Sequence, residues 1–169
     1  MKQLIENRSL WLIIAGSVIF YLFFYSRQFN GDDWLWLANA IKAWDYPRIF
    51  FERPMYGYFR PLNMIWVSIL VKIFGVSAFA FSIINIILHS VNIMMLWKVL
   101  EKFDIETQIR NISCLFFGFY YLNISAIGWI SVGHDIWVVF WSLLFTLKMV
   151  EFVKTPGISA FIQIAIFGI

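Results

Sequence analysis

Charged residues are scarce in this chain, and the residue types that usually carry metal or redox chemistry are scarcer still. Of 169 residues only 14% are charged, and the sequence contains one cysteine and two histidines. A lone cysteine, Cys114, cannot form an intrachain disulfide, and no Cys and His residues stand at metal-ligand spacing. The 13 Lys and Arg residues form no basic stripe, so a nucleic-acid partner is not expected.

Apolar residues are what the chain has in abundance. Hydrophobic residues make up 62% of it and aromatic residues 21%, and the mean hydropathy is +0.77. This composition predicts an all-α integral membrane protein, a polytopic helix bundle. The first apolar segment, residues 9–25, ends at Ser26-Arg27-Gln28, which is not a small-residue cleavage site. We therefore expect an uncleaved anchor helix rather than a signal peptide.

Five segments are candidates for membrane-spanning helices. They are residues 9–25, 78–100, 111–128, 136–153 and an incomplete fifth, 158–169. The third reaches a spanning length only if its helix continues from the apolar run 111–122 toward Trp129. The fifth stops after about 12 residues, too few for a span. We therefore expect this chain to be the N-terminal part of a longer protein.

The positions of the positive charges predict which loops share a side. Residues 62–74 are apolar but cover only about 20 Å, so they either lie at the interface or cross with a strong tilt. If they do not cross, the short-loop cations fall mostly on one side, the side predicted to be cytoplasmic along with the N-terminus. Loops 26–77 and 123–135 are then both outer loops. The inner cations are Lys2, Arg8, Lys98, Lys102, Arg110, Lys148 and Lys154.

The first outer loop has an amphipathic helix pattern of its own. Apolar residues recur at helical spacing from Trp34 to Trp44, with Asn39 and Lys42 on the other face. The predicted apolar face comprises Trp34, Leu37, Ala38, Ile41 and Trp44. Aromatic residues that favour headgroup depth are frequent here, namely Trp34, Trp36, Trp44, Tyr46, Tyr56 and Tyr58. We expect interfacial helices that lie against the membrane surface.

An acidic pair, Asp32-Asp33, follows the anchor helix and precedes this amphipathic segment. Aspartate is a favoured N-cap, and acids in the first turn complement the helix dipole, so capping explains one of them. Two adjacent carboxylates at a membrane edge are costly to desolvate, which favours a functional role for the second. Both interpretations stay open at this point.

Two further polar groups fall on the same predicted outer side. Arg60 precedes Pro61 at the start of the short apolar segment, where it is either an interface anchor or a phosphate ligand. His134-Asp135 precedes the fourth span, where Asp135 is either a helix cap or part of a site. Their shared side predicts one site on the outer face.

The second span carries Asn85, His89 and Asn92 on one helix face, at i, i+4 and i+7. A histidine and two amides inside a membrane are functional candidates by default. Alternatively, they form hydrogen bonds to neighbouring helices.

The order of these motifs resembles that of the GT-C-fold glycosyltransferases. The acidic pair, the Tyr58-Phe59-Arg60-Pro61-Leu62 entry to a short helix, the Asn85-Ile-Ile-Leu-His89-Ser-Val-Asn92 face and a second outer loop ending in His134-Asp135 follow the pattern of the protein O-mannosyltransferase superfamily, including its TMTC-type branch and bacterial relatives. The resemblance covers nearly all of residues 9–155. One departure is His134, which stands where that pattern has arginine.

The resemblance implies an inverting enzyme that moves a sugar from a polyprenyl-phosphate donor to an acceptor hydroxyl. Asp32 and Asp33 would be catalytic, with Asp32 the preferred base. Substrate or lipid-phosphate binding would fall to Arg60, His134, Asp135 and His89. No cofactor is required, although the acidic pair leaves a divalent cation open; the partners would be membrane lipids, the lipid-linked sugar and an acceptor protein or glycan.

Two other classes compete with this hypothesis. A non-catalytic membrane subunit or assembly partner would use the same helical scaffold for packing. A transporter fragment would need charges deep in the spans, and only His89 stands there. The expected location is a bacterial plasma membrane, with the endoplasmic reticulum as the alternative.

Overall fold

A computed structural model describes residues 2–25, 28–29, 31–52, 59–154 and 156, and within those ranges the chain is all-helical with no strand. This confirms the predicted all-α class. The segment 158–169 and the residues Tyr56 and Tyr58 lie outside the described residues. Seven α-helices and one short 3₁₀ helix are present in them: α1 Lys2–Phe24, α2 Asp33–Lys42, the 3₁₀ helix Pro47–Phe51, α3 Pro61–Phe74, α4 Ala78–Lys102, α5 Thr107–Phe119, α6 Asn123–Gly128 and α7 His134–Lys154.

Helix α4 is the centre of the bundle and packs against α1, α5, α6 and α7. It is apolar on nearly every face, which is typical of a helix enclosed by others or by lipid. Among the residues that the structure describes, two helices, α4 and α7, are long and apolar enough to cross a membrane, judged by length and composition. Shorter apolar stretches occupy Arg8–Phe24 in α1 and Pro61–Phe74 in α3.

The predicted continuous helix over residues 111–128 is wrong. Helix α5 ends at Phe119 and α6 begins at Asn123, with Tyr120 in an extended conformation between them. The carbonyl groups at the end of α5 bind side chains instead of the next helical turn. Ser17 Oγ donates to Gly118 O (2.9 Å), Tyr21 Oη donates to Tyr120 O (3.1 Å), and Asn123 Nδ2 donates to Phe117 O (3.0 Å).

Helices α2 and α3 form a separate layer packed against each other. Their shared core consists of Trp36, Leu37, Ala40, Met64, Val67 and Leu70. Of the predicted apolar face of α2, Leu37 is buried in this core, whereas Trp34 and Ile41 are 57% and 53% exposed. The helix is apolar on more than one side, and its contact with α3, including a Trp44 Nε1 hydrogen bond to Ser68 O (3.2 Å), selects the buried side.

Both predicted outer loops lie at one end of the bundle. The starts of α2, α3 and α7 meet there through direct hydrogen bonds between the two loops. The α4–α5 turn lies at the other end, where Lys154 Nζ donates to Lys102 O (2.7 Å). The structure thus places the polar groups of both loops together, as their predicted shared side requires.

Substitution of Gly118 by leucine should destabilise the bundle. A Cβ atom at Gly118 would lie 3.2 Å from Ile93 Cδ1 and 3.7 Å from both Ile13 Cγ2 and Ser17 Cβ. Overpacking a site of this kind costs about 1–3 kcal/mol of unfolding free energy. Thermal unfolding in detergent measures the loss, with Ala15→Leu on the exposed side of α1 as the matched control. Equal melting temperatures for the two variants would contradict this packing.

Candidate functional site

The backbone of Ser131 is the centre of the polar cluster between the two loops. Its N–H donates to Asp33 Oδ1 at 3.0 Å, and Ser131 is buried. Asp33 is 0% exposed and lies in the first turn of α2. A carboxylate that accepts a backbone N–H in an enclosed position holds that peptide in place, since an unmet buried donor is costly. Asp33 therefore fixes the second loop to the first.

The basic groups of the cluster contact the carbonyl oxygen of the same residue. Arg60 Nη1 donates to Ser131 O at 3.2 Å, and His134 Nδ1 lies 3.1 Å from it. Pro61 begins α3 as predicted, and Arg60 occupies the N-cap position before it. Arg60 is thus held at the point where α3 and α7 both begin. The structure brings Arg60, His134 and Asp33 to the backbone of one residue.

Asp32 occupies the N-cap position of α2, but its side chain does not cap the helix. The capping interpretation is therefore wrong for this residue. Its Oδ1 instead accepts a hydrogen bond from the indole Nε1 of Trp129 at 2.9 Å. Gly31 precedes it with a positive φ of 51°, a conformation that glycine adopts readily and that turns the chain into α2. Asp32 remains partly exposed, in contrast to Asp33.

Asp135 stands inside the first turn of α7 rather than before it, so it is not the N-cap of that helix. Its Oδ1 lies 3.2 Å from His134 Nε2, and its side chain is 57% exposed. An acid at this position still complements the helix dipole. With Nδ1 on Ser131 and Nε2 on Asp135, the His134 ring is oriented from both sides.

An apolar groove runs from this cluster between α3 and α7. Its volume is about 500 Å³, and Arg60 and His134 are among its lining residues. The other residues along it are mostly apolar or aromatic: Phe59, Pro61, Leu62, Asn63, Ile65, Trp66, Ile69, Trp137, Val138 and Trp141. The Trp66 and Trp137 rings pack edge to face, with their centroids 4.9 Å apart. A groove with basic groups at one end and apolar walls suits a lipid with an anionic head.

The structure does not bring His89 into this cluster. His89 is 3% exposed, its Nε2 lies 3.4 Å from Gly118 O, and its ring packs against Tyr21 and Phe117. The amides on the same face behave similarly. Asn85 Nδ2 donates to Ile127 O (3.0 Å) and Asn92 Nδ2 donates to Ile136 O (2.9 Å). These contacts agree with the alternative interpretation, in which the polar side chains of α4 form hydrogen bonds to neighbouring segments. They argue against His89 as a phosphate ligand.

Several residues of the cluster were not predicted from the sequence. Ser131 acts through its backbone, which no residue pattern reveals. Trp129 was visible only as one aromatic residue in a polar turn. Asn63 was visible only as a polar interruption of the apolar segment 62–74. No group of three or more His, Cys, Asp or Glu side chains suited to a metal is present in the described part of the chain.

Comparisons with known proteins assign no family to this geometry. No protein-family model, curated protein or solved structure matches the chain. The function is therefore argued from the side chains of the cluster and the groove.

Replacing Asp33 by alanine should loosen the second loop, whereas asparagine should largely preserve it. Alanine leaves the buried Ser131 N–H without its acceptor, at a cost of about 1–3 kcal/mol, while asparagine retains an Oδ1 acceptor. Hydrogen exchange of the Ser131 amide and thermal unfolding measure both effects. Asp45→Ala, at an exposed acid of the same loop, is the control. Unchanged exchange in Asp33→Ala would show that this carboxylate does not hold the loop.

Proposed function

We propose that this chain is the N-terminal part of a polytopic membrane glycosyltransferase of the GT-C type. It would transfer a sugar from a polyprenyl-phosphate donor to an acceptor hydroxyl on the outer or lumenal face. The observation that carries the proposal is the apolar groove with Arg60 and His134 at one end, next to the loop that carries Asp32. The order of motifs in the sequence supports the same function.

The groove suits a lipid-linked substrate because its walls remain open to the surroundings. Leu62, Val138 and Trp141 line it and are 79%, 59% and 44% exposed. If α4 and α7 cross the membrane, these side chains face lipid near its outer edge. The polyprenyl tail would then lie along the apolar wall while its phosphate reaches Arg60. The same orientation places the N-terminus in the cytoplasm, as the positive charges predict.

Arg60 is the residue we assign to the donor's phosphate. A guanidinium is always charged and matches the planar, bidentate hydrogen bonding that phosphate oxygens offer. His134 adjoins it on the same carbonyl oxygen and lines the groove. In the reaction, the bond between the anomeric carbon and the phosphate oxygen breaks, and its electron pair leaves with the phosphate. Positive charge beside that oxygen stabilises the charge that develops there.

Asp32 is the residue we assign as the base. It would accept the proton of the acceptor hydroxyl while that oxygen attacks the anomeric carbon, which gives a single displacement with inversion. Asp33 is less suited to this role because it is 0% exposed and accepts the Ser131 N–H. It is assigned as a positioning residue. The acceptor, a protein or glycan hydroxyl, would approach from the exposed side of Asp32.

Asp32→Asn should reduce sugar transfer about 10²–10⁴-fold, the usual contribution of a general base. Arg60→Gln should reduce it about 10²–10³-fold, the effect of removing one electrostatic contact to the leaving oxygen. The measurement is the release of polyprenyl phosphate from polyprenyl-phosphate-linked mannose in liposomes that contain the full-length protein. Asp45→Asn, an exposed acid in the same loop, is the matched control and should retain full activity.

Native turnover in both Asp32→Asn and Asp33→Asn would contradict the assignment of the catalytic base. No transfer at all by the native full-length protein would contradict the enzymatic proposal and favour a non-catalytic membrane subunit, in which the polar groups of both loops serve only packing. Thermal unfolding of each variant separates a loss of activity from a loss of fold.

A further inference from the structure

Two side chains in the groove carry N–H groups that have no hydrogen-bond partner within the described residues. Asn63 is only 6% exposed, and its Nδ2 atom is enclosed without an acceptor. The same holds for the indole Nε1 of Trp137. An enclosed donor without an acceptor is costly, so native proteins rarely keep one unless a ligand or an ordered water meets it.

These donors stand one helical turn beyond the basic groups of the cluster. Asn63 follows Arg60 by three positions at the start of α3, and Trp137 follows His134 by three positions on α7. Three residues of α-helix rise about 4.5 Å and return to the same face. All four residues line the groove. The groove therefore has Arg60 and His134 at one end and two neutral N–H donors one turn further along both helices.

We propose that Asn63 and Trp137 complete a phosphate-binding site and donate hydrogen bonds to the lipid-linked phosphate that Arg60 holds. This inference rests on the proposed function. A phosphate has several oxygens, each with more than one lone pair, so a single arginine leaves acceptor positions unmet. Two neutral N–H groups, one from each of the facing helices, donate to those positions, and each gains the acceptor that it otherwise lacks.

Neutral donors suit this place because carboxylates already surround it. Asp135 contacts His134, and Asp33 binds the backbone of the same residue, Ser131, as Arg60. A second arginine or a lysine here would form an ion pair with these acids and would not be available to a ligand. The amide of asparagine and the N–H of an indole bind an anion without adding a charge. The groove thereby distinguishes a phosphate-bearing lipid from the corresponding alcohol.

The test compares binding of a short-chain polyprenyl phosphate with that of the matched polyprenol by full-length protein in nanodiscs. Trp137→Phe and Asn63→Leu remove one N–H donor each and keep most of the side-chain volume. Each should weaken binding of the phosphate about tenfold, the effect of one hydrogen bond to a charged group, and leave polyprenol binding within about twofold. Trp11→Phe is the matched control, since Trp11 is 58% exposed on α1 and does not line the groove. Its phosphate and polyprenol affinities should both stay native.

Two outcomes would overturn the inference. In the first, both variants bind the phosphate as the native protein does. In the second, they lose phosphate and polyprenol equally, which shows lost packing rather than lost hydrogen bonds. Arg60→Gln separates the inference from the proposed function. If only Arg60→Gln loses the preference for polyprenyl phosphate over polyprenol, the proposed function stands and the assignment of Asn63 and Trp137 fails. If the native protein itself does not prefer polyprenyl phosphate to polyprenol, the proposed function and this assignment both fail.

Discussion

The arrangement of this end of the molecule depends on the backbone of one residue, Ser131. Its N–H donates to Asp33, and its carbonyl oxygen is contacted by Arg60 and His134. Asp33 and Arg60 lie 98 and 71 positions before Ser131 in the sequence and meet at its backbone. Because both backbone polar groups of Ser131 are engaged, the loop before α7 cannot shift without breaking contacts to α2 and α3 together. The basic groups and the acids of the two loops are fixed relative to one another by these contacts.

The central helix α4 also holds the loop around Ser131 in position. Its two amide side chains bind the backbone on either side of the Ser131 loop, Asn85 at Ile127 and Asn92 at Ile136. Gly133 sits close to Asn85, since a Cβ atom there would lie 3.3 Å from Asn85 Nδ2. Inside an apolar bundle, such hydrogen bonds are met within the protein because no water replaces them. The polar face of α4 therefore positions the loop and does not belong to the site itself.

Much of the helical outline follows from the sequence alone. Helices α4 and α7 begin and end within two residues of the predicted segments 78–100 and 136–153. Pro61 marks the start of α3, because its fixed φ and missing N–H suit only a first turn. The meeting of the two outer loops also follows, since alternation of apolar helices places them at one end.

The remaining features depend on partners far away in the sequence. The break after Phe119 requires Ser17 and Tyr21 on α1 to bind the carbonyl groups at the end of α5. An apolar run by itself gives no sign of such a break. Likewise, the sequence does not distinguish Asp32 from Asp33, and only their partners Trp129 and Ser131 distinguish a partly exposed carboxylate from a buried one. These distinctions are tertiary, which is why local patterns predicted the pair but not the role of each member.

The most direct measurement of the central claim is photo-crosslinking with a polyprenyl phosphate that carries a diazirine in the isoprene unit next to the phosphate. The proposed function places that lipid in the groove between α3 and α7. Mass spectrometry should then find the label on residues 59–69 and 134–141, and excess unlabelled polyprenyl phosphate should suppress it. Labelling instead at the opposite end, around Phe103, Phe145 and Met149, or labelling that excess lipid does not suppress, would contradict the account.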